Sequence, residues 1–494
     1  MAWVLNRTVI GVLVGSGVGI LTLIDTALGA ASVLSGIFIF LLFRRPELAL
    51  AIAILFAHNL FGMITEETFR FPGLFKARDL LLFSLFIPFF IEGWRKGDLR
   101  HLIDSPISKC VMAIFLLSIL IIIKTVMQHE TDVGLTIRDG RRYFYYMMFF
   151  AILYNIRTAG QFKMFVDILI GLSIIYSCLV IAQFLLGPNH IIFLGASNDE
   201  TTRWKVVPLT LAGITVARSY ISGFDLTVFS FGIVLYRSTT SAINSKNMWN
   251  ILILSVIGLQ ILLSFARAYW IGIFVAVVFS IFFLYRRVGR VIWVTIGAVI
   301  LLSMFLIVGR FVNPQLPNPL SLLNERLEGT AGDLLGKEEG SFRWRMEDNA
   351  ERLNLVKKNL LMGVGFVHDE TKKFTLGLQG RGLRTADSGV LSVFIDMGLI
   401  GAVLILLMIT LLLYRCYTAF KRNNETWENG VLYGCFIYVL TSLVASFTWP
   451  VFVSYETIVP LVVVMSAQEI IFRQMGVQTF AGKRPHCIEP TQEG

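Results

Sequence analysis

Charged residues are scarce in this chain of 494 residues. They make up 15% of the sequence, whereas soluble domains carry roughly 25%. With 55% hydrophobic residues and a mean hydropathy of +0.71, the composition excludes an ordinary soluble domain. Apolar runs of about 18 residues or more recur along the chain, and each can cross a hydrocarbon core of about 30 Å as a helix. A barrel would need short alternating segments instead. The sequence therefore predicts an all-α, polytopic helical membrane protein with about twelve to fourteen transmembrane helices.

Cysteines and metal-binding clusters are also sparse. The five cysteines show no CxxC spacing, and none lies in the longest polar segment; they are Cys110, Cys178, Cys416, Cys435 and Cys487. This pattern indicates neither a disulfide framework nor a zinc site. The loops assigned below to the outer side carry no DxD motif and no cluster of carboxylates and histidines at ligand spacing. We therefore predict no metal and no cofactor.

The apolar runs define the predicted spans. They lie at 8–25, 28–43, 48–65, 79–93, 110–126, 143–155, 163–186, 208–236, 248–265, 268–285, 291–311, 389–414, 430–448 and 456–472. The stretch 208–236 is interrupted by Arg218 and Asp225. The first run could belong to a cleaved signal peptide, but a second run follows at once and ends in Arg44-Arg45. An uncleaved helical hairpin is the preferred interpretation.

Basic residues set the predicted orientation. The net charge is +10, but many of the basic residues lie in short connections that share one parity, so the charge indicates membrane orientation rather than nucleic-acid binding. They are Arg44, Arg45, Arg95, Lys96, Arg100, Arg157, Lys163, Arg237, Lys246, Arg286, Arg287, Arg290, Arg415, Lys421, Arg422, Arg473, Lys483 and Arg484. The positive-inside rule places this side, and both chain termini, in the cytoplasm.

This topology divides the chain into five regions. N-terminal helices occupy 1–207, central helices with candidate arginines 208–311, a large extracytoplasmic loop 312–388, C-terminal helices 389–472 and a cytoplasmic tail 473–494. Prolines at 314, 317 and 319 stop the helix before the loop. Arg343 to Leu361 is then predicted as an amphipathic helix. Gly363 and Gly365 are expected to end it, an interpretation we prefer to a phosphate cradle.

Three arginines on the outer side are candidates for holding an anionic substrate. Arg218 precedes a predicted span, Arg267 lies between two spans with almost no loop, and Arg345 starts the loop helix. A guanidinium at membrane depth needs an anionic partner or a wet cavity, and its rigid fork matches phosphate oxygens. The alternative for each is an interfacial arginine that snorkels or pairs with a carboxylate such as Glu347 or Asp225.

Asp387 is the candidate general base. It precedes the helix that starts near Gly389, at the predicted outer surface, where a carboxylate could take a proton from a sugar hydroxyl. The alternative is a helix N-cap. His368 is the single histidine of the large loop. It is a candidate for binding substrate, although a solvated histidine is the simpler interpretation.

Four local patterns lie between Arg218 and Gly401. Arg218 stands ahead of a Gly223-Phe224 step, and Ser264-Phe-Ala-Arg267-Ala opens a helix. Arg345 leads through a helix to Gly363-Val-Gly365, and Thr385 leads to Asp396-Met-Gly398-Leu-Ile-Gly401. Together they resemble the O-antigen ligase and polymerase family, whose members join lipid-linked glycans at the periplasmic face of the inner membrane. Here Leu360 stands where proline is usual, Ser-Phe-Ala-Arg loosens a Ser-Arg-Gly start, and Asp396 replaces a frequent glutamate.

The resemblance implies an inverting, metal-independent transfer from an undecaprenyl-diphosphate-linked oligosaccharide in the bacterial inner membrane. Arg267 and Arg345 would be catalytic and Arg218 would help to hold the diphosphate, with Arg343, Arg384 and His368 as further substrate-binding candidates. Asp387 would activate a second lipid-linked unit as the acceptor. Membrane lipids, a flippase and a chain-length regulator are the implied partners.

Two alternatives stay open. Ligases that transfer glycan to lipid A core carry a histidine where this chain has Asp387, and this difference favours a polymerase of exopolysaccharide, capsule or O-antigen. A flippase for the same lipid-linked unit would show repeat-related halves and ionisable residues at mid-membrane. The sequence shows no repeat and gathers its polar residues in one loop.

Overall fold

A computed structural model describes residues 36–57, 77–96, 100–187, 205–211, 214–220, 224–240, 245–264, 266–283, 341–367, 388–422 and 427–474. Residues 36–44 are helical. The elements that follow are α1 Pro46–Ala57, α2 Ala77–Ser84, α3 Ile87–Lys96, α4 Arg100–Ile103, α5 Pro106–His129, α6 Val133–Gly140, a 3₁₀ helix Arg141–Met147, α7 Met148–Asn155, α8 Ala159–Leu186, β1 Lys205–Leu211, β2 Ile214–Tyr220, α9 Phe224–Thr240, α10 Ser245–Leu263, α11 Arg267–Phe283, α12 Ser341–Lys358, α13 Gly389–Arg422, α14 Trp427–Ala445 and α15 Tyr455–Gln474.

The long helices begin at residues whose side chains satisfy free backbone N–H groups. Ser105 caps α5 by accepting a hydrogen bond from the Ser108 N–H, and Pro106 follows at the first helical position, where no N–H is needed. Thr158 and Gln161 form a reciprocal capping box at the start of α8. These local signals position the two helices that carry the predicted spans 110–126 and 163–186.

The centre of the bundle is formed by α14 and α15. Most residues of both helices are buried, and the most apolar 18-residue stretch of α14 is 78% buried. α14 packs against α9, α11 and α13, while α15 packs against α7 and the 3₁₀ helix. The C-terminal helices are therefore the core on which the other described helices assemble.

Glycines allow α9 and α14 to approach closely. A Cβ on Gly232 would lie 2.7 Å from the Cα of Gly434, and one on Gly434 would lie 2.7 Å from the Phe229 carbonyl oxygen. Small residues at such contacts let membrane helices pack backbone to backbone. This contact fixes α9, whose first turn lies at the same end of the bundle as the large loop.

The predicted fold class is confirmed. Four helices among the described residues are long and apolar enough to cross a membrane, namely Pro106–His129, Ala159–Leu186, Gly389–Phe420 and Trp427–Ala445. Shorter apolar helices cover Pro46–Phe56, Leu81–Ile91, Asn247–Leu263 and Arg267–Phe279. The predicted spans 8–25 and 291–311, and residues 28–35 of the span 28–43, lie outside the described residues.

The predicted span 208–236 is wrong in its first half. Residues 205–220 form an antiparallel hairpin in which Lys205 pairs with Tyr220 and Leu211 with Ile214, and the helix starts only at Phe224. The hairpin sequence is rich in valine, isoleucine and threonine, and Pro208 disfavours a helix. Arg218 therefore lies on a strand, not ahead of a helix within one span.

Two other predicted spans are divided. A turn at Leu85 and Phe86 separates α2 from α3 within 79–93, and the span 143–155 starts as the 3₁₀ helix before α7 continues it. Arg141 and Tyr145 of the 3₁₀ segment both bond Asp79, whereas Arg142 and Tyr143 both bond Asp396. The 3₁₀ helix is therefore the segment whose side chains form hydrogen bonds to two different carboxylates.

We predict that Gly434→Leu destabilises the bundle by about 1–3 kcal/mol, because the larger side chain must push α9 away. Thermal unfolding in detergent measures the effect, with Gly171→Ala as the control, since a Cβ at Gly171 meets no atom within 4 Å. Equal unfolding midpoints for the two variants would contradict the close α9–α14 contact.

Candidate functional site

Several helix ends meet at one end of the bundle. The Tyr269 hydroxyl, in the first turn of α11, donates to Asp225 in the first turn of α9 at 2.7 Å. The Gly389 N–H at the start of α13 donates to the Ser446 carbonyl just after α14, also at 2.7 Å. A Cβ on Gly272 of α11 would lie 2.9 Å from the Thr441 carbonyl near the end of α14. The starts of α9, α11 and α13 and the end of α14 therefore share one side.

The candidate arginines lie on elements that reach this end. Arg267 is the first residue of α11 and is partly buried, two residues before Tyr269. Arg218 lies on β2, and Arg343 and Arg345 lie in the first turns of α12; for these three the structure describes the backbone alone. His368, Arg384 and Asp387 are outside the described residues. Their roles stay predictions.

Asp225 was an alternative partner for a candidate arginine. In the structure Asp225 is buried and accepts from Tyr269, and among the described residues no arginine forms an ion pair with it. The aromatic ring of Phe224 packs edge-on against Tyr269, with the ring centroids 4.5 Å apart. This contact ties the start of α9 to the turn of α11 that carries Arg267.

Ser388 caps the helix that follows Asp387. Its hydroxyl oxygen accepts from the Leu391 N–H at 3.3 Å and donates to the Ser446 carbonyl at the same distance. The capping hydrogen bond that was considered for Asp387 is therefore formed by its neighbour Ser388. The cap also holds the start of α13 against the end of α14.

The loop helix α12 is anchored through its C-terminal half. Val356, together with Val364 and Val367 beyond the helix, packs against Leu391 and Ile395 of α13. Arg352, on the same helix, is completely buried, and nothing in its sequence context indicated this. The predicted helix is confirmed over Ser341–Lys358. Of its predicted apolar residues, Leu355 and Val356 pack in the cluster with α13, whereas Ala350 and Leu353 are exposed.

A backbone seam joins the end of α12 to a kink in α13. We define the seam as the contact of residues 359–367 with residues 395–400. The Val364 N–H donates to the Ile395 carbonyl at 2.7 Å, and the Leu399 N–H donates to the Leu360 carbonyl at 2.8 Å. Gly398 interrupts the helical conformation of α13 with φ 64°, which frees these groups for pairing across the seam.

Glycine is required on both sides of this seam. Gly363 has φ 67°, and a Cβ there would lie 2.5 Å from the Ile395 carbonyl oxygen and 2.7 Å from the Gly398 nitrogen. Left-handed backbone of this kind favours glycine. The helix α12 ends at Lys358, earlier than predicted, and Gly363 closes the turn that follows by donating its N–H to the Asn359 carbonyl at 2.9 Å. Gly363 also admits the backbone of α13.

The end of α5 holds the seam from another direction. Lys124 donates to the Gly363 carbonyl, Nε2 of His129 donates to the Val364 carbonyl at 3.1 Å, and the Phe366 N–H donates to the Thr125 hydroxyl at 3.2 Å. These three side chains lie within about two turns of one helix. They satisfy backbone groups that the glycine-rich segment cannot pair within itself.

An ion pair completes the anchoring. Arg142 donates to Asp396 at 2.5 Å, and the Tyr143 hydroxyl donates to the same carboxylate oxygen at 2.7 Å. Both charged side chains are largely buried, with 14% and 9% of the arginine and aspartate side chains exposed. The Tyr143 ring also stacks on Phe366 at 5.3 Å. The sequence pattern that contains Asp396 indicated no partner for this carboxylate.

No metal cluster is found in the part of the chain that the structure describes. Groups of three or more histidine, cysteine, aspartate or glutamate side chains with suitable placement are absent there. The described charged groups at this end include arginines and carboxylates, which are side chains that can bind an anion and accept a proton.

These features define a polytopic helical membrane protein in which the described segment 341–367 is fastened to one end of the bundle. Residues 250–406 match a family model described as O-antigen ligase. The match runs from α10 through the loop helix to the seam and the kink of α13, about a third of the chain. It confirms the family resemblance and supports a membrane function of the O-antigen ligase or polymerase type. No curated protein matches the chain.

We predict that Asp396→Ala lowers the free energy of unfolding by about 3 kcal/mol, because a buried guanidinium loses its counter-charge. Asp396→Glu keeps a carboxylate and should retain most of the stability. Thermal unfolding in detergent and tryptic cleavage of the loop measure the two effects. Asp167→Ala is the control, since it removes an exposed ion pair with Arg237 of 3.4 Å that contributes little. Equal stability of Asp396→Ala and Asp167→Ala would contradict this role of the buried pair.

Proposed function

We propose that this protein is a membrane glycosyltransferase that polymerises undecaprenyl-diphosphate-linked oligosaccharide repeats into exopolysaccharide, capsule or O-antigen. The family match over residues 250–406 carries the proposal, because it covers α11, the large loop and the start of α13. The shared location of these helix ends supports it, since Arg267 opens α11 and Ser388, next to Asp387, caps α13. A site assembled from separate helix starts and one loop suits a long lipid-linked substrate.

The reaction is an inverting displacement at the anomeric carbon of the donor. A hydroxyl at the non-reducing end of the acceptor attacks the face opposite the diphosphate, and the bond from carbon to the diphosphate oxygen breaks. The hydroxyl proton passes to Asp387. Undecaprenyl diphosphate leaves with the bonding electron pair, and Arg267 and Arg345 stabilise its developing negative charge. Arg218, Arg343, Arg384 and His368 are proposed to bind the diphosphate or the glycan.

The reaction takes place at the outer face of the bacterial inner membrane. Both chain termini are proposed to be cytoplasmic, from the distribution of basic residues in the short connections. Arg415 and Arg473, both counted among those cytoplasmic residues, pair with Glu469 at 2.5 and 3.0 Å. This ion-pair network lies near the ends of α13 and α15, away from their starts near the seam. A flippase and a chain-length regulator are proposed partners.

A ligase is the second candidate. The matched family model is described as O-antigen ligase, so transfer of finished glycan to lipid A core uses the same donor chemistry. Asp387 in place of the histidine typical of those ligases favours the polymerase.

The proposal predicts that Arg345→Ala and Asp387→Asn stop polymer growth in cells. Loss of one charge-stabilising donor costs on the order of 10²–10³ in rate, and loss of a general base on the order of 10²–10⁴. Single repeats should accumulate on the lipid carrier, as measured by gel analysis of lipid-linked glycans at matched membrane levels. Asn354→Ala, at an exposed position of the same loop helix, serves as the control.

Other outcomes distinguish the alternatives. Polymer of full length in both variants would remove these residues from the site. Polymer of full length that stays on the carrier instead of lipid A core would indicate a ligase. Repeats trapped at the cytoplasmic face would indicate a flippase.

A further inference from the structure

One side of α13 is an apolar stripe. The exposed side chains after the Gly398 kink recur every three or four residues; they are Leu399, Ile400, Val403, Leu406, Leu407 and Tyr414. This spacing places them on one face of a helix. From Leu399 to Tyr414 the helix rises by roughly 22 Å, most of the thickness of a hydrocarbon core. The stripe is therefore the lipid-facing side of this transmembrane helix.

Two leucines from the large loop extend the outer end of this stripe. Leu360 and Leu361 follow α12, and 50% and 64% of their surfaces are exposed. Their backbone carbonyls accept hydrogen bonds from the N–H groups of Leu399 and Ile400, at 2.8 and 3.3 Å. The seam thus holds two apolar loop residues beside the first lipid-facing residues of α13. A loop held in bulk water would gain nothing from exposing this pair.

Two lysines precede these leucines, separated from Leu360 by one asparagine. Lys357 and Lys358 are both exposed and occupy the last turn of α12. Cations there also favour the negative end of the helix dipole. However, basic residues beside an apolar group at the membrane boundary are typical of segments that lie in the bilayer interface and attract anionic headgroups.

We propose that the turn at 357–361 is a membrane anchor, with Leu360 and Leu361 among the acyl chains and Lys357 and Lys358 at the phosphates of anionic lipids. Its occupant is the bilayer surface, because the turn is continuous with the lipid-facing stripe of α13. The anchor fixes the height of α12 above the membrane, and therefore the height of Arg343 and Arg345 at its start. This inference does not depend on the glycan-transfer proposal.

Site-specific fluorescence of the full-length protein in lipid vesicles tests the anchor. A nitrobenzoxadiazole label is attached to Leu361→Cys, after Cys178 and Cys487 are replaced by serine and the buried cysteines are left in place. Leu406→Cys, on the α13 stripe, is the reference for lipid exposure. Glu130→Cys, at an exposed position just after α5, is the reference for water exposure. Nitroxide-bearing phospholipid and aqueous iodide are the two quenchers.

The label at 361 should behave like the label at 406, with several-fold more quenching by nitroxide lipid than the label at 130. Quenching by iodide as strong as at 130 would overturn the proposal, because the turn would then lie in water. Protection from both quenchers would also overturn it, since another protein surface would then cover the turn.

Removal of the two positive charges, in vesicles with and without anionic lipid, tests the role of the lysines. In vesicles containing phosphatidylglycerol, Lys357→Gln with Lys358→Gln should shift the balance from inserted to water-exposed turn by roughly fivefold for each lysine. In vesicles of phosphatidylcholine alone, the same change should have little effect. An equal response in both vesicles would overturn the assignment of the lysines to anionic headgroups. None of these readouts requires catalytic activity, so failure of the anchor is distinguishable from failure of the proposed reaction.

Discussion

Backbone pairing at the Gly398 kink is the constraint on which the end of the bundle that carries α12 depends. The described part of the predicted loop, residues 341–367, is positioned by contacts with α5 and α13. The seam supplies these contacts through hydrogen bonds to Ile395 and from Leu399. Two left-handed glycines, Gly363 and Gly398, make the approach possible because each would place a Cβ inside the facing backbone. The position of α12, and with it the proposed site, therefore depends on glycine at these two positions.

Charge at the seam is held in pairs because a medium of low polarity penalises isolated ions. Arg142 and Asp396 fasten the 3₁₀ helix to α13, and Arg141 and Asp79 fasten it to α2. The 3₁₀ helix thus connects two parts of the bundle through adjacent arginines. Lys124 instead neutralises no carboxylate in its described contact and donates to a backbone carbonyl of the seam. Arg142 and Lys124 therefore support the loop through these contacts, and they are different residues from the arginines proposed to bind substrate.

Long spans and the loop helix could be predicted from the sequence, because apolar length and amphipathic spacing are local properties. α5, α8 and α14 contain the stretches that hydropathy indicated. The hairpin at 205–220 was missed because its valines and leucines raise the apolar content as much as helix formers do, although Pro208 disfavours a helix. Here local backbone preference, not hydrophobicity, decides the structure.

The anchoring of the site could not be predicted for a different reason. Arg142 and Asp396 are 254 positions apart, and no local pattern links two residues at such a separation. Ser388 was adjacent to the predicted base, but its capping role depends on Ser446 across the bundle. The family motifs indicated that Gly363 and Gly398 matter, whereas the physical reason, their contact with each other, is visible only in three dimensions.

The most direct test of the central claim uses the purified protein in lipid nanodiscs with a defined undecaprenyl-diphosphate-linked repeat unit and a metal chelator. The account predicts a ladder of longer lipid-linked glycans, with release of one undecaprenyl diphosphate for each bond formed. An unchanged repeat unit, under conditions in which the protein remains folded and binds the lipid, would contradict glycan transfer as the function of this loop.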